Sequence, residues 1–128
     1  MDANQLAAEL LTDDPSRRRE AADRLALIGE EAKPATCALV EACADDDLRD
    51  LCVGALEELG PPPATALPRL AELLTSESLD VAYWAATLLG RARANAAPYV
   101  ADLQRVANDA ATPEVVRDRA AWALRKIG

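Results

Sequence analysis

Three cysteines and one run of three aspartates are the side chains in this 128-residue sequence whose types could carry chemistry. Cys37, Cys43 and Cys52 match no metal-ligand spacing, and an odd number leaves a thiol over after any pairing. The pattern reads as core thiols in a reducing compartment, so a cytoplasmic protein is expected. Asp45-Asp46-Asp47 lacks the glycine and the later glutamate of an EF-hand loop. It reads instead as a solvated turn whose charge favours the start of the next helix. There is no histidine anywhere. That removes the commonest general base, the usual activating partner of a nucleophile and the commonest zinc ligand. No phosphate-cradling glycine loop is present, the glycines reading as punctuation at helix ends. The expectation is a protein that is not an enzyme, with no catalytic residue, no metal and no cofactor.

The formal net charge is −8. Binding a polyanion depends on basic neutralising groups, so neither nucleic acid nor an anionic membrane is an expected partner. No apolar run reaches the roughly 18 residues that would suggest a membrane span, and the N-terminus lacks the basic and apolar regions of a signal peptide. Arginine outweighs lysine and alanine is abundant, a bias of high-GC bacterial sequences.

The elements that must position any site follow from composition. Hydrophobic residues make up 51% of the chain, yet there is no Phe and aromatics are only 3%, so alanine and leucine carry the packing. These are the strongest helix formers, and no segment alternates β-branched residues. An all-α fold is predicted. The closing stretch from Val116 to Gly128 has near-copies upstream, at Arg18–Gly29, Arg49–Gly60 and Val81–Ala92. Their anchor leucines, Leu25, Leu56, Leu88 and Leu124, are 31, 32 and 36 residues apart, the mark of a repeat array. Four residues before each anchor stand Ala21, Cys52, Trp84 and Ala120, and three after stand Ile28, Leu59 and Ile127. Spacings of three and four put these on one helical stripe. One hairpin cannot bury such a stripe, so stacking must hide it. The chain therefore reads as one repeat domain of about four helical hairpins, spanning residues 2–29, 30–60, 61–93 and 94–128.

Punctuation supports that division. Asp2 with Gln5 forms a capping-box pattern, and Asp14 followed by Pro15 is a cap with proline at the first helical position. Thr112-Pro113-Glu114 repeats that start. Pro34, Pro68 and Pro98 recur in the first helix of a pair, where each should bend or restart it. Pro61-Pro62-Pro63 reads as a stiff connector between repeats.

Together these features resemble HEAT-type repeats, especially the short phycobilisome-lyase-like variety. The resemblance rests on the first-helix prolines, the aspartate-rich turns at Asp13-Asp14 and Asp45 to Asp47, and the arginine opening the second helix (Arg18, Arg49, Arg117). The A-A-x-x-L pattern closing on I-G or L-G completes it. Val81 stands where the third copy's arginine belongs, and the period is shorter than the roughly 40–47 residues of HEAT units. A tetratricopeptide array has a closer period but places glycine and large aromatics inside the first helix. The resemblance implies a right-handed α-α superhelix whose second helices line a concave face. That face would hold an unidentified protein or peptide on Arg19, Asp23, Asp50, Glu57, Tyr83, Ala86, Leu89, Asp118, Trp122 and Arg125. Trp122 is the expected hot spot, because it lies off the anchor stripe whereas Trp84 lies on it. The alternatives are a bilin-lyase-like or other enzyme-accessory module, or a repeat fragment, monomeric or weakly self-associating through its end hairpins. HEAT-type hydroxylases use His-Glu pairs and HEAT-type DNA glycosylases a basic groove, neither of which this sequence offers.

Overall fold

A computed structural model describes residues 1–128, which form eight α-helices and no strand. The helices are α1 (Ala3–Leu10), α2 (Pro15–Leu27), α3 (Thr36–Ala42), α4 (Arg49–Leu59), α5 (Leu67–Leu73), α6 (Leu79–Arg91), α7 (Val100–Asn108) and α8 (Glu114–Ile127). They divide between two compact units, Met1–Gly60 and Pro61–Gly128. The division falls at the start of the proline run.

In the first unit α1 packs on α2, α2 on α4, and α3 on α4. The capping box forms as the sequence predicts: the Gln5 N–H donates to Asp2 at 2.9 Å, and the Asp2 N–H donates to the Gln5 side chain at 2.8 Å. Asp14 caps α2 by accepting from the Ser16 N–H at 2.9 Å, with Pro15 at the first helical position. Leu25, Leu39, Leu56 and Leu59 are fully buried, with Cys52 among them. In the second unit α5 packs on α6, α6 most extensively on α8, and α7 on α8. Its core holds Leu70, Leu88, Leu89, Leu103 and Val116. Trp84 is buried on the anchor stripe, as expected. On α8 the stripe residues Leu124 and Ile127 are only half-buried.

Several local expectations need correction. Pro34 and Pro98 do not bend α-helices. They sit in 3-10 segments, Gly29–Ala35 and Arg93–Tyr99, that lead into α3 and α7. Proline has no N–H to donate to the carbonyl four residues back, so the regular α-helical ladder begins only after it. Pro68 restarts its helix within the first turn of α5. Thr112 does not cap α8; Pro113 occupies the cap position and no side chain bonds there. Gly29 and Gly60 do end helices, at φ +57° and +76°. Gly54 and Gly90, in contrast, lie inside α4 and α6, and the third copy turns instead at Arg93, with φ +52°.

Candidate functional site

The second helix of each pair supplies the expected face, and the structure sorts its residues into two groups. On α2 and α4, Arg19, Asp23, Asp50 and Glu57 are all exposed. Arg19 and Asp23 line a shallow groove of about 420 Å³ together with Ser16, Glu20 and Leu51. Asp50 and Glu57 lie outside that lining. On α8, Asp118 and Arg125 are exposed, and Trp122 is half-buried. Tyr83 of α6, also half-buried, joins Asp118 and Trp122 around a groove of about 220 Å³ in the second unit.

Ala86 and Leu89 do not belong to an accessible face. Both are fully buried. The reason lies one turn away at Gly90. A Cβ there would come within 2.5 Å of the Trp122 ring and 3.0 Å of the Ala123 Cα, so α8 lies directly on the α6 backbone. Ala86 is four residues before Gly90 on the same stripe, and Leu89 adjoins it. The absence of a side chain at Gly90 is what admits the indole.

Trp122 is therefore seated rather than protruding. Its inner edge meets Gly90, and the Arg119 guanidinium lies 4.5 Å from its ring centroid. The same guanidinium lies 4.6 Å from the Tyr83 ring, and its Nη2 donates to the Tyr83 hydroxyl. Lys126 Nζ is 5.8 Å from the Trp122 centroid. Arg119 is thus stacked between two aromatic faces, which hold it by cation–π attraction and one hydrogen bond. Behind Tyr83, Trp84 meets it edge-on with ring centroids 6.0 Å apart, and Arg91 lies 5.5 Å from Trp84. The stack is ordered in advance, so a ligand meeting it loses little side-chain freedom there. Val115, 44% exposed, extends the apolar part of this groove.

Sequence reasoning does not single out Arg119 and Val115, nor Glu20 and Leu51. One signal points to Arg119, Glu20 and Leu51, though not to Val115, which stands nine residues before its anchor. Glu20, Leu51, Tyr83 and Arg119 each stand five residues before their anchor leucines. The expected face draws chiefly on the columns two before, six before and one after the anchor; column five supplies Tyr83 and Arg119, which meet between α6 and α8, and Glu20 and Leu51, which line one groove of the first unit. Cys43 and Cys52 are buried and Cys37 is half-buried, and no group of three or more Cys, Asp or Glu side chains is gathered so as to hold a metal ion.

No protein-family model matches the sequence, and no curated protein matches it. Its fold does have solved counterparts. One crystal structure of an engineered protein from the Northeast Structural Genomics Consortium superposes with a TM-score of 0.60 at 23% identity over 98% of this chain. A second engineered protein from the same consortium gives 0.60 at 25% identity, again over 98% of the chain. The chain spans 62% and 37% of those proteins' lengths. At these identities the likeness concerns the fold. No helix is long and apolar enough to cross a membrane.

Proposed function

We propose that this chain is a non-enzymatic repeat scaffold of HEAT type, a right-handed α-α superhelix that holds a peptide or protein segment on its second helices. The observation that carries the proposal is the Tyr83–Arg119–Trp122 stack. Tryptophan, tyrosine and arginine dominate interface hot spots, and here all three are fixed around one open groove. Asp118 at its edge adds a hydrogen-bond acceptor for a partner's backbone or basic side chain. The exposed acids Asp23, Asp50 and Glu57 on the first unit's second helices give the same helix class an anionic surface.

Peptides selected from a random phage-displayed library against the intact protein test this. Arg119→Ala and Trp122→Ala should each weaken the selected peptides by about 2 kcal/mol or more, roughly thirtyfold. Glu114→Gln, outside the groove lining, should leave them unchanged. Selected peptides that bind the Arg119→Ala and Trp122→Ala proteins as tightly as the unaltered one would place the binding face elsewhere.

A further inference from the structure

Near the start of α2, Arg18 has a definite task in the first unit. Arg18 Nη2 reaches forward to Asp45 Oδ2 in the next hairpin's turn at 2.6 Å, and both side chains are half-buried. Asp45 Oδ1 meanwhile accepts from the Asp47 N–H at 2.9 Å, which fixes the turn. Beside it, Arg19 Nη1 donates to the Asp47 carbonyl at 3.2 Å. The recess at this place, floored by Leu48, measures about 220 Å³.

The equivalent place in the second unit lacks both arginines. Val81 and Ala82 stand seven and six residues before Leu88, where Arg18 and Arg19 stand seven and six before Leu25. The turn ahead still provides its acid. Asp109 Oδ1 accepts from the Ala111 N–H at 2.9 Å, the same two-residue turn that Asp45 makes. Its carboxylate forms no ion pair. The turn is no longer than its counterpart, five residues separating α7 from α8 as five separate α5 from α6. Half of the four-residue excess of the last repeat period lies in α7, nine residues against seven in α5; what the place lacks is the pair of arginines. What results is a groove of about 470 Å³ floored by Leu79, Ala82, Val106 and Val116, with Glu77 and Asp109 among its polar residues. Val116 occupies the register of Leu48, eight residues before its anchor. Arg105, also in the lining, is committed to Asp102 three residues before it.

We propose that this groove accepts an arginine side chain from a partner polypeptide, which replaces the rung that Val81 removes. The guanidinium would pair with Asp109 as Arg18 pairs with Asp45, and its methylene stem would cover the apolar floor. Arginine fits better than lysine, because a guanidinium is more weakly hydrated than an ammonium and gives up less water on entering a partly apolar groove. The net charge of −8 draws such a segment in. The groove shares no lining residue with the Tyr83–Arg119–Trp122 groove, so either can fail without the other.

The test is a backbone-amide NMR titration of the whole chain with a short glycine–serine peptide carrying one arginine. Lysine and citrulline versions serve as comparisons. Saturable shifts are expected at residues 75–77 and 109–112, with roughly tenfold weaker binding of the lysine version and none of the citrulline version. Asp109→Asn keeps the turn-forming oxygen but removes the charge, and should weaken the arginine peptide by about tenfold. Val81→Arg should close the groove with the chain's own side chain and abolish the shifts. Val81 is buried, so if that variant does not fold, Asp109→Asn decides alone. Equal response to the lysine peptide, or unchanged binding by Asp109→Asn, overturns the proposal. Shifts at these residues on concentrating the protein alone also overturn it, because the occupant would then be a second copy.

Discussion

Cys52 is fully enclosed, and burial pushes its thiol from an ordinary value of 9.0 up to about 12. The Asp45 charge adds to the rise and Arg18 opposes it. The unfolded chain loses this proton near the ordinary value, whereas the folded chain keeps it to about 12. Between those values the unfolded state binds fewer protons, so stability falls as pH rises; below the ordinary value the stability is undiminished. Urea midpoints between about pH 8 and pH 11 should therefore drop more steeply for the unaltered protein than for Cys52→Ala, whatever the absolute cost of the cavity. Parallel slopes would show that Cys52 has no part in the alkaline loss. The same enclosure argues against a reactive role, since nucleophilic thiols are exposed and low in pKa. Arg119 shows the opposite use of a polar side chain. Its two aromatic neighbours fix it at the surface, where it can meet a ligand.

Helix contacts in the second unit turn on a residue with no side chain. Gly90 lies inside α6, where alanine would favour the isolated helix by about 1 kcal/mol. The tertiary contact reverses that preference. An added Cβ meets the Ala123 backbone at 3.0 Å as well as the Trp122 ring, so rotating the indole cannot relieve the clash. Gly90→Ala is expected to destabilise the protein by about 1–3 kcal/mol and to lower its melting temperature by several degrees. The indole emission should shift red as Trp122 is pushed towards water. Gly54→Ala is the matched control: it too lies inside a helix, yet nothing stands within 4 Å of its added Cβ, so it should be neutral or stabilising. Should both substitutions have the same effect, close approach of α6 and α8 is not what selects glycine at position 90.

For the molecule as a whole the relevant property is a net charge of −8 carried without histidine. Such a surface repels other polyanions at physiological salt. The intact chain should therefore show no saturable association with duplex DNA or with vesicles rich in phosphatidylserine, measured by co-sedimentation. Cationic peptides should associate, and the association should weaken steeply with salt. Saturable DNA binding at physiological salt would mean that a local basic surface outweighs the overall charge.

The buried leucine positions, the helix count and most of the capping were legible in the sequence, because they depend on contacts three or four residues apart. The Asp2–Gln5 box, the Asp14–Pro15 start and the Leu25, Leu56 and Leu88 anchors are local or periodic facts. Accessibility was not legible at Ala86 and Leu89, because it depends on which neighbouring helix lies over them. The same holds for the pairing of Tyr83 with Arg119, 36 residues apart, and for Asp109 left unpaired by a valine in a different hairpin. Sequence periodicity determines which side of a helix turns inward. Only tertiary packing decides which outward residues meet one another, because that depends on how closely two backbones approach, and here one glycine sets the distance.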